Sequence, residues 1–417
     1  MTQLGGGLEN PPFFMPIMIS SANSSSSIDE QTALAFLKKA WETEDNKQIP
    51  QNLNWKSYAP DKTLMRFKEE LNRLQPYVET WYAERGKSLP DWPKIYFAPM
   101  EAWLSYFDAH PDAKKLPFGI ERDTWIAQQT QLISVLCPWR YTQGIYRFEQ
   151  SFEKALVEST IKGVIPSEVL LRLPQWSIYI ELKPRRFETQ TLVGFWACLR
   201  NADRMMGVPE LSLLLNLVED DGRQVLLSRT LPIEQLGLED LFRKIFHDIL
   251  PKPLKAFDAE RLGIATDTFS KIFQFESTCE AMYQRNAKVF QPILAVLLYL
   301  CTTEPDIVNN RQPGLKPANN YGRHLKKGFR MFPADGPQIW TVGSTMEENL
   351  KQHYRVLDIE ESERRTGKRR EVRAHVRSAH WHGYWKGHRP KEGQKDMREF
   401  IFHWIPPLLV RGTRTLV

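Results

Sequence analysis

The segment EVRAHVRSAHWHGYWKGHR, residues 371–389, holds the densest mixture of guanidinium, imidazole and large aromatic groups in the chain. If Val372 to Ser378 is extended, alternation puts Arg373, His375 and Arg377 on one face and Val372, Ala374 and Val376 on the other. His380, Trp381, His382, Tyr384, Trp385 and Lys386 follow, around a permissive Gly383. Arg364, Arg365, Lys368, Arg369 and Arg370 come just before. Cations beside flat rings suit a phosphate, a nucleobase or an acidic peptide. A plain core strand does not need Arg, His and Arg at alternate positions. The same residues also have a plainer reading. The basic run reads as a solvated face, and Trp381, Tyr384 and Trp385 read as interior filling.

Three chemistries compete for this stretch. His380 and His382, with His375 and His403 near, are the right type of ligand for zinc. No Cys or acidic ligand stands at a telling interval, however, and the neighbouring Arg residues oppose a cation, so neither metal nor cofactor is expected. His380 and His382 also fit an acid/base pair for metal-independent RNA cleavage, with Arg holding the scissile phosphate. A binding module is the third, and the residues favour it: Arg373, Arg377 and Lys386 supply charged donors, and Trp381 or Trp385 a stacking face. The chain therefore reads more as a binder than as an enzyme. No P-loop, nucleophile elbow, zinc-protease or dinucleotide fingerprint occurs.

The elements that must position these groups sit in a chain of 417 residues, long enough for two or three structural units. A composition 42% hydrophobic and 25% charged describes an ordinary soluble globular protein. The formal net charge is only +6, so contact with a polyanion has to come from local clustering. Cys137, Cys198, Cys279 and Cys301 are widely spread, which argues against a disulfide frame and fits a cytoplasmic location. The first residues carry no basic n-region. The longest apolar run, Ile293 to Cys301, is too short for a membrane span.

Residues 1–26 are Gly-, Pro- and Ser-rich and read as a mobile segment. Residues 27–136 read as a helical N-terminal region. Ser27 and Glu30 form a capping box, and Leu64, Phe67, Leu71, Leu74, Val78 and Trp81 make one apolar stripe, with a kink or break at Pro76. A third helix is expected from about Arg122 to Leu136. Residues 137–417 read as an α+β core. Trp139 to Tyr146 looks like strand and turn, and Glu149 to Glu158 helical. Trp176 to Pro232 reads as a mostly antiparallel sheet, with Asp221-Gly222 as a hairpin turn. Helices are expected over Leu238–Ile249 and from about Asp267 to Tyr299, the second covering one face of the sheet. Asn309 to Gly336 reads as a basic loop. The basic and aromatic motif spans 364–404, and Val372–Ser378 is expected to pair with Arg398–Ile405, which Pro406-Pro407 ends. The fold class is thus α+β: a helical N-terminal region and a mostly antiparallel sheet flanked by helices and completed by C-terminal strands.

Several further residues carry a resemblance. They are Trp139-Arg140 with Gly144-Ile145-Tyr146, Leu173-Pro174 with Trp176 and Tyr179, Gly194-Phe195-Trp196-Ala197, and Cys301 with Glu304-Pro305-Asp306-Ile307. The most specific is R-x-H-[VI]-R-x-x-H-W-H-G-Y-W-x-G at Arg373 to Gly387. In order and spacing they resemble the second family of type V-A anti-CRISPR proteins and its phage and plasmid relatives. The family motif commonly has Pro and Arg where this chain has Ala374 and Ser378. The resemblance implies a regulator of effector synthesis. Such a protein recognises the N-terminal polypeptide of a type V-A CRISPR effector as it emerges, and the matching messenger RNA is lost. The implied partners are that nascent peptide and, with it, ribosome or RNA, and no membrane. An accessory phage or plasmid protein without a CRISPR target is the remaining alternative.

Overall fold

The structure is a computed structural model, and its described residues are 49–50, 53–85, 97, 100–159, 165–187, 190–201, 209–233, 237, 290–351, 355, 375–377, 379–388 and 398–410. The N-terminal segment, the helix expected at Ser27, that at Leu238–Ile249, the first part of 267–299, the basic run 364–370 and Arg373 lie outside them.

A seven-stranded sheet forms the centre, in the order β5-β4-β3-β2-β1-β9-β6. Its strands are β1 (Gly144–Phe148), β2 (Ser177–Phe187), β3 (Gln190–Asn201), β4 (Pro209–Val218), β5 (Gln224–Pro232), β6 (Ile307–Val308) and β9 (Gln338–Val342). The steps from β2 to β5 are antiparallel, and the turn at Asp221-Gly222 joins β4 to β5 as its sequence requires. β1 is parallel to both of its neighbours, β2 and β9. Fold class and sheet character therefore agree with the sequence reading.

The near-continuous apolar runs of β3 and β4 follow from burial on both faces. On one face Tyr146, Ile178, Ile180, Phe195, Ala197, Leu213 and Leu215 pack with α6 (Gln150–Glu158) and with α7, residues 290–300. On the other, Ile145, Tyr179, Trp196, Cys198 and Leu214 pack with Leu132, Val135, Leu136 and Trp139. Those four residues belong to α5 (Ile120–Thr142). The helix thus runs six residues past the expected end, and Trp139 to Thr142 is helical rather than strand and turn. Gln143, at φ 45°, ends it in the left-handed conformation. The Gln143 carbonyl accepts the Gln338 amide at 3.0 Å and its side chain donates to the Ala334 carbonyl at 2.8 Å. One residue so ends α5 and sets β1 beside β9.

The helical N-terminal region contains α1 (Pro60–Arg66), α2 (Lys68–Arg85), α3 (Met100–Asp108) and α4 (Pro111–Lys115). The stripe Leu71, Leu74, Val78 and Trp81 is buried as expected, against Trp103, Phe107, Trp176 and Met331. Pro76 does not break α2, which continues through it. These helices and the sheet lie in one compact unit, Gln48–Val417.

Residues 309–336 are not wholly loop. They include a small hairpin, β7 (Arg323–Leu325) with β8 (Gly328–Arg330).

The C-terminal pairing differs from the expected one. Strand β11 (His380–Lys386), not Val372–Ser378, pairs with β12 (Glu399–Ile405). The described part of the earlier segment, β10 (His375–Arg377), pairs with β13 (Leu408–Val410), so extended chain resumes after Pro406-Pro407. The physical reason is the aromatic match. Only the β11 register sets Trp381 against Trp404 and Trp385 against Phe400.

Candidate functional site

The β11–β12 ribbon is antiparallel over seven pairs, from His380↔Ile405 to Lys386↔Glu399. Alternation gives it two chemically distinct faces. One carries Trp381, Trp385, Phe400, Phe402 and Trp404. Trp381 stacks on Phe402 at 5.1 Å with planes 7° apart. The Trp404 indole donates to Ser159 Oγ at 2.9 Å and meets the Phe152 ring edge-on at 5.1 Å. Gly383 belongs here for a steric reason: a Cβ at this position would lie 2.4 Å from Phe400 Cζ. Beyond the side chains, the Phe402 carbonyl accepts the Thr303 amide at 3.0 Å, and the Phe400 carbonyl accepts the Arg172 guanidinium at 2.5 Å. The ribbon is therefore fastened to α6, to the turn that follows α7 and to the 3-10 helix Ser167–Arg172 that precedes β2, not merely laid on them.

The opposite face carries His380, His382, Tyr384 and Lys386 across from Ile405, His403, Ile401 and Glu399. His382 and Lys386 are exposed, and Tyr384 is 47% exposed, its ring 5.6 Å from that of His382. At the far end of the ribbon both faces are open, with Tyr384 and Lys386 on one and Trp385 on the other. Trp385 outruns the core and is 46% exposed, edge-on to Phe400 at 5.1 Å. The Arg398 guanidinium lies 5.3 Å over its ring. Lys386 and His388 are also exposed.

The site expected from sequence is thus divided. His380, His382, Tyr384, Trp385 and Lys386 are brought together on one ribbon. Trp381 is buried and packs into the core, so it is no stacking surface; Trp385 has that geometry. For His375 and Arg377 the structure describes backbone only, in β10, on a different pair of strands. Arg398 is not legible in the sequence pattern, because its partner Trp385 lies across the β11–β12 pairing, and the pattern points to Val372–Ser378 in that place. Among the described residues no group of three or more His, Cys, Asp or Glu side chains is placed to hold a metal ion. No helix of the described residues is long and apolar enough to cross a membrane.

Several other residues that carry the resemblance are scaffold. The Trp139 indole donates to the Gly144 carbonyl at 3.0 Å, and Tyr146 Oη to Gln175 Oε1 at 3.0 Å. Gly194 leaves space for the Tyr179 phenol, whose oxygen would lie 2.3 Å from a Cβ there. That oxygen accepts from Asn216 Nδ2 at 3.1 Å. Asp306 Oδ2 accepts the Thr345 amide at 2.8 Å and its hydroxyl at 2.6 Å, capping α8, residues 344–351. Burial pushes the Cys198 and Cys301 thiols up to about 12, so neither is a nucleophile at neutral pH.

Comparison with known proteins gives a consistent picture. The anti-CRISPR type V subtype A2 family, AcrVA2-like, matches residues 146–412. Protein FinQ of Escherichia coli is 22% identical over 287 residues, which cover 66% of this chain and 76% of FinQ. The crystal structure of AcrVA2 matches with a TM-score of 0.54 at 17% identity, covering 86% of this chain and 100% of that one. At that identity the last likeness is one of fold. The family match begins after α5, so the helices α1 to α5 precede it.

Proposed function

Since the chain belongs to the anti-CRISPR type V subtype A2 family, we propose that it suppresses production of a type V-A CRISPR effector by recognising the effector's N-terminal polypeptide as it emerges, with loss of the matching messenger RNA. The observation that carries this reading is the exposed end of the ribbon, with Tyr384 and Lys386 on one face and Trp385, under the Arg398 guanidinium, on the other. Two wide rings supply contact area at little entropic cost, and the cations supply donors for peptide carbonyls or carboxylates. The ribbon below is pinned by Trp404 and Phe402, so little ordering is left for the binding step.

Co-expression with a type V-A effector tests the proposal, with effector protein and transcript both measured. Wild-type chain is expected to lower both, and the Tyr384→Ala, Trp385→Ala double variant to restore both. Unchanged effector and transcript in the presence of wild-type chain would refute the reading. RNA cleavage by the purified protein, lost in His380→Ala with His382→Ala, would replace it with a ribonuclease.

A further inference from the structure

We propose that the β7–β8 hairpin and the loop around it form a contact site for single-stranded RNA, separate from the β11–β12 ribbon. The loop from Asn309 to Gly336 contains Arg311, Lys316, Arg323, Lys326, Lys327 and Arg330 against a single carboxylate, Asp335. The register Arg323↔Arg330, His324↔Phe329 and Leu325↔Gly328 puts Lys326 and Lys327 at the turn. A two-stranded hairpin is marginal alone, yet this one is held firmly at its base. Phe329 packs over Gly322, where a Cβ would lie 2.2 Å from its ring. Arg330 and the Met331 amide both bind Glu79 of α2, at 2.6 and 3.0 Å, and Gln75 donates to the Met331 carbonyl at 3.1 Å.

Arg330 is therefore paired with Glu79, although its side chain is 46% exposed. Arg311, Lys316, Arg323, Lys326 and Lys327 are exposed, and no carboxylate among the described residues pairs with them. Two rings stand among them. Tyr321 is 52% exposed and steadied edge-on by Trp176 at 5.0 Å, and Phe332 is 40% exposed beneath the Arg323 guanidinium at 4.9 Å. Exposed cations interleaved with partly exposed rings fit a polyanion whose units also stack, which describes unpaired nucleotides. A polyglutamate chain has no ring to stack, so it would use the cations alone. The site stands independently of the ribbon; only the choice of RNA over DNA rests on the proposed function.

Fluorescence anisotropy with labelled oligouridine, at several salt concentrations, tests this on the full chain. Wild type is expected to bind, with log affinity falling linearly against log salt. Lys326→Glu with Lys327→Glu should weaken binding about tenfold or more and flatten the salt slope by roughly 0.7 per lost phosphate contact. Tyr321→Ala should weaken binding without changing that slope. Thermal melts verify that each variant is folded. Absence of binding by wild type, or unchanged affinity in a folded double-Glu variant, overturns the proposal. So does displacement of oligouridine by polyglutamate at equal charge, which would mark an acidic-peptide site. Because the ribbon is assayed by effector suppression in Tyr384 and Trp385 variants, failure here is distinguishable from failure there.

Discussion

The Glu79 carboxylate accepts the Met331 amide at 3.0 Å, joining residues 252 positions apart in the chain. Its other oxygen takes the Arg330 guanidinium at 2.6 Å. One buried side chain of the helical N-terminal region thereby fixes the base of the basic hairpin. Glu79→Gln should lower stability by about 1–3 kcal/mol, the cost of disturbing a charged hydrogen-bonded acceptor. Hydrogen exchange at Met331 is expected to speed up more than exchange in β3 or β4. Equal acceleration everywhere would mean that Glu79 supports the whole unit and not the hairpin.

The same carboxylate gives a pH dependence. Burial opposes its ionisation, but the Met331 amide, Gln75 and Arg330 outweigh burial and hold it below the ordinary Glu value. A depressed folded pKa means stability that is fully present above the unfolded value, about 4.3 for Glu, and lost as pH falls through the folded one. Acid titration of the melting temperature should show this loss in wild type. In Glu79→Gln the acid-side fall should be smaller; an identical fall in both would assign it to other carboxylates.

Gly383 and Phe400 form a steric pair. Gly383→Val puts new carbons where the Phe400 ring lies, and overpacking of this kind costs about 1–3 kcal/mol. Adding Phe400→Leu should recover part of the loss. A double variant as destabilised as the sum of the single changes would show that the two positions do not compete for space.

Trp404 and Trp385 have the same side chain in opposite roles. Trp404→Ala removes a buried indole that donates to Ser159, and it should cost about 3–5 kcal/mol. Trp385→Ala should leave the melt within about 1 kcal/mol of wild type, because half its surface is already in water. Its deficit should appear instead in effector suppression. A large loss of stability from Trp385→Ala would make this ring structural.

Truncation after Gly387 removes β12 and β13 together. The core then loses Phe400, Phe402 and Trp404, and β11 is left as a bare edge. Loss of a cooperative melt is expected. A melt unchanged by the deletion would refute the ribbon's part in the core.

Much of the architecture was written locally. The apolar runs of β3 and β4, the Asp221-Gly222 turn, α6 and the stripe of α2 are set by neighbours a few positions away, where alternation and helical period act. The same holds for the composition of the motif at His380 to Lys386, whose cations and rings no packing rule demands. What the chain could not announce by itself was who pairs with whom across long separations. β1 lies beside β9, Glu79 meets Met331, and β11, not the preceding segment, takes β12. Those choices depend on which register buries the most ring surface while satisfying backbone groups, a property of the assembled core. That same assembly decided the fate of the two indoles in one motif: Trp381 turned inward onto Phe402, and Trp385, four residues on, was left facing water with Arg398 across its ring.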